Sequence, residues 1–124
     1  MSENNFLMYE KTQDMIAYGL IALQQFPRVE KFVLAAQIRQ QMYDVLRLIV
    51  EVNKRHHRKT ALTELDIAHE VLRHLVDMSY RHMQYIDRHK YLLWREKIDE
   101  VGRLLGGWIR SQQGDNSQIV AKGA

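Results

Sequence analysis

The spacing of apolar residues along the chain predicts amphipathic helices. The clearest pattern lies in the second quarter of the sequence, where apolar positions recur three or four residues apart. These positions are Ala35, Ile38, Met42, Val45, Ile49 and Val52. This period places them on one face of a helix, as in the buried seam of a helical bundle. The sequence therefore predicts a helix that begins after Pro27 and ends before the polar stretch 53–60.

A first helix precedes this one, roughly from Leu7 to Gln25. Its apolar stripe consists of Met15, Gly19, Ala22 and Phe26. Pro27 ends the helix because the residue before a proline is pushed out of the α region. Proline also suits the first turn of a helix, where its missing N–H costs nothing, so we expect the second helix to follow directly.

A third helix is predicted from Thr63, whose hydroxyl can cap the first turn beside Glu64 and Asp66. Its predicted seam is Leu65, Ala68, Leu72, Leu75 and Ser79. We expect this helix to fray between Met83 and His89. A fourth helix follows, whose seam is Trp94, Ile98, Val101, Leu105 and Trp108.

Four amphipathic helices with short connections predict an all-α fold, an antiparallel four-helix bundle. The stretch 113–124 shows no periodicity, so we expect a bundle domain over 1–112 and a disordered tail over 113–124. One proline and six glycines leave little room for the turns of a β-sandwich or barrel.

Composition restricts the chemistry of the chain. There is no cysteine, so disulfides, thiolate metal sites and a cysteine nucleophile are excluded. Residues 1–5 lack the pattern of a signal peptide, and apolar runs such as 32–36 are too short to cross a bilayer. We therefore expect a cytoplasmic protein without a membrane segment.

No pattern of catalytic or metal-binding residues stands out. His69 and His74 flank Glu70 but lie five residues apart, whereas the zinc-protease motif needs two histidines four apart on one helical face. His82 and His89 have no carboxylate at metal-ligand spacing. The sequence favours solvent-facing or interfacial histidines and a protein with no catalytic residues, no metal and no cofactor.

A basic run follows the second predicted helix. It holds Lys54, Arg55, Arg58 and Lys59, four full charges within six residues. Such a run is either solvated loop charge or a patch that contacts nucleic-acid phosphates. In the second interpretation, further cations of the next hairpin assist it: Arg73, Arg81, Arg88 and Lys90. Without an aromatic-and-glycine RNA-binding motif, binding is expected to follow charge and shape more than sequence.

Glycines inside the fourth predicted helix are a second unusual feature. Gly102 and Gly106 lie on one face, and each costs roughly 0.5–1 kcal/mol relative to alanine. Close approach of another backbone would explain them, with Trp108 as a large neighbour. That approach is either a helix crossing inside the bundle or an interface between subunits.

Two segments resemble known families. Residues 26–39, which include Phe26-Pro27-Arg28 and Ile38-Arg39, resemble the start of the second helix in two families. These are the accessory variability determinant (Avd) proteins of diversity-generating retroelements and the proteins encoded in intervening sequences of bacterial 23S ribosomal RNA genes. The terminal stretch 99–110, DEVGRLLGGWIR, is similar to the last helix of Avd and favours that family. The resemblance covers about residues 8–112.

The resemblance to Avd implies a four-helix bundle that assembles into a homopentameric barrel. It implies binding to the retroelement's reverse transcriptase and to RNA or DNA, in support of mutagenic retrohoming, without a catalytic site. The alternative is an oligomeric scaffold of the intervening-sequence type, with an RNA-binding or purely structural role. A bundle that uses its histidines to bind a metal or cofactor is a third, less favoured interpretation.

Overall fold

The computed structural model describes the backbone of residues 3–123 and the side chains of residues 5–112. Over these residues the chain forms four α-helices and no strand. They are α1 (Glu3–Leu23), α2 (Leu34–Lys54), α3 (Lys59–Arg81) and α4 (Arg88–Gly123). The expectation of an all-helical, four-helix architecture is confirmed.

The helices are arranged as a square. α1 packs against α2 and α4, and α3 packs against the same two helices. The connection between α2 and α3, residues 55–58, lies at what we call the upper end of the bundle. The other two connections, residues 24–33 and 82–87, lie together at the lower end, on opposite edges of the square.

The apolar seams form the core between the helices. All six predicted positions of α2 are buried. In α4 the first four predicted positions are buried and Trp108 is half-buried against the core. The predicted seam of α3 needs one correction, because Val76 is fully buried while Leu75 is half-buried. A period of 3.6 residues allows either neighbour to complete a stripe, and packing decides between them.

Three helix boundaries differ from those that the sequence predicts. α1 begins at Glu3, four residues before Leu7. α3 begins at Lys59, four residues before Thr63, and the Thr63 hydroxyl donates to the Lys59 carbonyl at 3.0 Å. Thr63 is therefore inside the first turns and does not cap the helix. Pro27 does not lead directly into α2, because a 3-10 turn, Arg28–Glu30, comes between them.

The lower end is closed by an ordered connection before α4. The Asp87 carboxylate accepts the Lys90 backbone N–H at 2.8 Å, which is the role of an N-terminal cap. Gln25 donates to the same carboxylate at 2.6 Å and accepts the Asp87 N–H at 2.9 Å. The rings of Phe26 and Tyr85 lie 5.3 Å apart. These contacts join the end of α1 to the start of α4.

The backbone of α4 is helical as far as Gly123. The disordered tail expected over 113–124 falls on residues whose side chains lie outside the described part of the chain. The division at residue 112 therefore stays a prediction.

Candidate nucleic-acid interface

The connection between α2 and α3 concentrates positive charge at the upper end of the bundle. Lys54 is the last residue of α2 and Lys59 the first of α3, with Arg55 and Arg58 in the connection between them. We call these four residues the loop cluster, and all four are exposed. The sequence places them together because the connection is only four residues long.

Within the loop cluster the side chains differ in how freely they can bind an anion. Arg55 lies 3.5 Å from the Glu51 carboxylate, which offsets part of its charge. Arg58 donates from Nε to the Arg55 carbonyl at 3.3 Å, a contact that leaves its charge uncompensated. Lys54 and Lys59 have no acidic partner among the residues that the structure describes. The cluster therefore offers three uncompensated cations and one that is partly paired.

The ends of α2 and α3 that meet at this connection also affect how it attracts anions. Cations suit the C-terminus of α2, where the dipole is negative. Cations do not suit the N-terminus of α3, where the dipole is positive. The residue at the cap position, Arg58, makes no side-chain hydrogen bond to the first turn. The first amide groups of α3 therefore remain available to an anion and add to the attraction of Arg58 and Lys59.

Two histidines lie in the same connection. The rings of His56 and His57 are 4.9 Å apart in an edge-on arrangement, and both side chains are exposed. They add hydrogen-bond donors beside the cations of the loop cluster.

Arg73 does not belong to this surface. It lies in the second half of α3 and forms an ion pair with Glu70. The hydrogen bond from Arg73 holds the pKa of Glu70 below its ordinary value, and His74, 3.0 Å away, acts in the same direction. Because Glu70 compensates its charge, Arg73 is poorly suited to bind phosphate.

Arg81 and Arg88 lie at the lower end, far from the loop cluster. Lys59 and Arg81 stand at opposite ends of α3, which at ~1.5 Å per residue is roughly 35 Å long. The sequence analysis groups Arg73, Arg81 and Arg88 with the basic run. In the structure none of the three lies at the loop cluster, because Arg73 is paired with Glu70 and the other two arginines are at the lower end. The Lys90 ammonium group lies 3.8 Å from the Asp87 carboxylate, so its charge is partly compensated.

Four of the nine other described arginines and lysines are paired with acids, namely Lys11, Arg47, Arg95 and Lys97. Lys97 lies 2.9 Å from Asp14, and Lys11 lies 3.3 Å from Glu100. Arg95 contacts both Asp77 and Asp99. The first two ion pairs join α1 to α4, so the charges of Lys97 and Lys11 are compensated.

Sequence reasoning did not single out the remaining unpaired cations. Among the described residues, five arginines and lysines outside the predicted set have no acidic partner. They are Arg28, Lys31, Arg39, Arg103 and Arg110. A hydrogen bond between the His69 side chain and the Ile98 carbonyl shows which part of α4 lies beside which part of α3. From this alignment, Arg110 lies near the upper end. No local pattern distinguishes Arg110, and only the register shows that it lies toward the upper end.

The two glycines of α4 have different surroundings. A Cβ atom on Gly102 would lie 2.7 Å from Cε1 of His69, so Gly102 is explained by packing inside the bundle. His69 is buried, which corrects the expectation of a solvent-facing or interfacial histidine, and its Nε2 donates to the Ile98 carbonyl at 2.8 Å. A Cβ atom on Gly106 would meet only the Arg110 guanidinium, at 3.3 Å.

Other kinds of site find no support in the described residues. No three histidine, cysteine, aspartate or glutamate side chains there are grouped so that they could hold a metal ion. None of the described helices combines the length and apolar character needed to span a bilayer.

Comparison with known proteins gives one family. A family model described as bAvd-like matches residues 6–112. No curated protein matches the chain. No solved structure matches it either.

Proposed function

Because the chain belongs to the bAvd-like family, we propose that it is a non-enzymatic accessory protein of a diversity-generating retroelement. In this role it binds the reverse transcriptase and nucleic acid, namely template RNA or its complementary DNA, and supports mutagenic retrohoming. The family match confirms the resemblance to Avd that the two sequence motifs indicated.

The loop cluster is the observation that carries the nucleic-acid part of this proposal. Lys54, Arg58 and Lys59 lie next to an uncapped helix N-terminus, and the acids of the bundle pair mostly with cations elsewhere. Cations of this kind bind phosphates and release condensed counterions, which favours association whatever the base sequence. An accessory protein that must accept a template of variable sequence needs contacts of this kind.

Self-assembly would make a weak single site effective. We propose that the bundle forms a homopentamer, which would present five copies of the loop cluster. Linked sites raise the effective concentration for the second and later contacts, so avidity exceeds the affinity of one cluster. The net charge of only +3 for each chain makes such avidity important.

The low net charge of +3, together with the acidic partners of seven cations, favours a second candidate, an oligomeric scaffold of the ribosomal intervening-sequence type with an RNA-binding or purely structural role. If that role is purely structural, the loop cluster serves solubility and the surface binds no nucleic acid. Genomic context separates the two candidates. A neighbouring reverse-transcriptase gene with a template and variable repeat pair supports the retroelement role, whereas a position within a ribosomal RNA gene supports the scaffold.

Charge reversal tests the loop cluster. Lys54, Arg55, Arg58 and Lys59 are changed together to glutamate, and labelled RNA or DNA is titrated at several salt concentrations. We expect weaker binding, and the slope of log K against log salt should fall by roughly 0.7–0.9 for each phosphate that the variant no longer neutralises. Circular dichroism confirms that the variant is folded.

A matched pair of double variants controls for net charge. Lys54→Glu with Lys59→Glu and Arg39→Glu with Arg103→Glu change the total charge equally, and all four side chains are exposed. Only the first pair should lower affinity and slope substantially. Equal decreases in both pairs would contradict a local interaction, and unchanged binding in the folded fourfold variant would place the nucleic-acid surface elsewhere.

A further inference from the structure

Two exposed histidines occupy the middle of the connection between α2 and α3. His56 and His57 are consecutive, and Arg55 and Arg58 of the loop cluster flank them. Both side chains are exposed, and their ring centroids lie 4.9 Å apart. The nucleic-acid contacts proposed above use only lysine and arginine charges, which do not change near neutral pH. The two imidazoles are the groups of this connection whose charge does change there.

No acid of the connection compensates a charge on either imidazole. Neither ring has a carboxylate partner among the residues that the structure describes. The nearest acid along the chain is Glu51, and its carboxylate is already engaged by Arg47 at 2.8 Å and by Arg55 at 3.5 Å. A proton taken up by either ring therefore adds a charge that an external anion can use.

The other helices bring few further charges close to the two rings. On α1, the Tyr9 hydroxyl accepts a hydrogen bond from Asn53 at 2.7 Å, so the exposed Glu10 lies at the level of the end of α2. On α3, the first acid is Glu64, in the second turn. On α4, Arg110 lies toward the upper end. Together with the loop cluster, cations therefore outnumber acids around the rings, and the surroundings attract anions.

A phosphate bound at the loop cluster favours the protonated form of both imidazoles. An anion within about 4–6 Å stabilises the charged form of a neighbouring group. A protonated imidazole also offers two N–H donors, whereas the neutral ring offers one. Because coupling between two ligands is reciprocal, a phosphate that promotes proton uptake is itself bound more tightly when protons are available. The charges of the two rings point to binding that strengthens as the pH falls.

The spacing of the rings makes them respond as a pair. At a centroid separation of 4.9 Å, two protonated imidazoles repel each other. One phosphate beside both rings offsets that repulsion, so the bound anion favours the second proton as well as the first. The two histidines are then expected to titrate together, with values that belong to the pair.

We propose that His56 and His57 make the binding of nucleic acid at the loop cluster dependent on pH, by taking up protons when phosphates bind. This inference rests on the proposed function, since it needs phosphates at the loop cluster, and it specifies how that site is regulated. In alkaline solution the connection and its helix ends present the four cations of the loop cluster. In mildly acidic solution the bound state presents two more.

Titration of labelled RNA at two pH values and several salt concentrations tests the inference. The wild-type protein should bind roughly 3- to 30-fold more tightly at about pH 5.5 than at about pH 8, as two added surface charge contacts allow. The slope of log K against log salt should be steeper at the lower pH by roughly 0.7–0.9 for each histidine that neutralises a phosphate.

Three double variants identify the groups that take up the protons. His56→Gln with His57→Gln should lose most of the affinity ratio between the two pH values and most of the change in salt slope. His56→Lys with His57→Lys carries permanent charges, so it should bind tightly at both pH values. His82→Gln with His89→Gln is the matched control, because it removes two exposed histidines at the lower end and should keep the wild-type ratio. Circular dichroism at both pH values shows that each variant is folded.

The outcomes separate this inference from the proposed function. A wild-type affinity that does not change with pH would overturn the inference, and so would a glutamine variant of His56 and His57 that keeps the wild-type ratio. If either occurs while the fourfold variant of the loop cluster loses binding, the proposed site stands and only its regulation is wrong. If the fourfold variant binds like the wild type at both pH values, the proposed site is wrong and this inference fails with it.

Discussion

At the scale of single residues, Gly102 and Gly106 lie one turn apart on α4 but meet different neighbours. The ring of His69 fills the space beside Gly102, whereas beside Gly106 only the flexible end of Arg110 comes close. The sequence could show that the two glycines share a face. It could not show what lies opposite, because that depends on the register of α3 against α4.

Alanine substitutions separate the two positions. Gly102→Ala should destabilise the bundle by roughly 1–3 kcal/mol, because the new methyl group displaces His69 and weakens its hydrogen bond to Ile98. Gly106→Ala should be neutral or stabilising by about 0.5–1 kcal/mol, because Arg110 can move aside and alanine favours a helix. Chemical denaturation measures both. A destabilisation at Gly106 as large as that at Gly102 would contradict this assignment and would indicate contact with another copy.

At the scale of helices, periodicity predicted the interiors better than the ends. The seam of α2 was predicted completely because a single face carries its apolar residues. The start of α3 was misplaced because Thr63 and the acids after it resemble a capping signal, while the helix begins among cations at Lys59. The sequence does not show the cap of α4 at Asp87, because its second partner, Gln25, comes from the distant connection after α1.

Asp87 gives the start of α4 a pH dependence. The hydrogen bond from Gln25, followed by that from the Lys90 backbone N–H, holds the pKa of Asp87 below its ordinary value. A carboxylate with a lowered folded-state pKa stabilises the protein above its unfolded-state pKa, and this contribution is lost as pH falls below ~4.

Replacement of Asp87 tests that contribution. Asp87→Ala should lower the melting temperature at neutral pH by a few degrees, and its difference from the wild type should shrink on acidification. Glu64→Ala is the control, because Glu64 is exposed and has no partner among the described residues. A difference that stays constant from pH 7 to pH 3 would show that the charge of Asp87 does not stabilise this end.

At the scale of the whole molecule, the sequence predicted the bundle and the loop cluster but not how charge is distributed over the two ends. The loop cluster could be predicted because its residues are adjacent in sequence. Arg81 and Arg88 were grouped with it wrongly, since only the antiparallel topology shows that they lie at the far end. Phe32 begins the apolar run 32–36, yet its side chain is exposed.

If the assembled protein contacts nucleic acid at the upper end of the bundle, bound RNA should lie against the loop cluster. Photochemical cross-linking of labelled RNA to the wild-type protein, followed by mass spectrometry of the peptides, tests it most directly. We expect cross-links to concentrate in peptides that contain residues 54–59, with none in peptides that contain Arg81 or Arg88. Cross-links concentrated at the lower end, with residues 54–59 unmodified, would show that nucleic acid does not bind at the upper end.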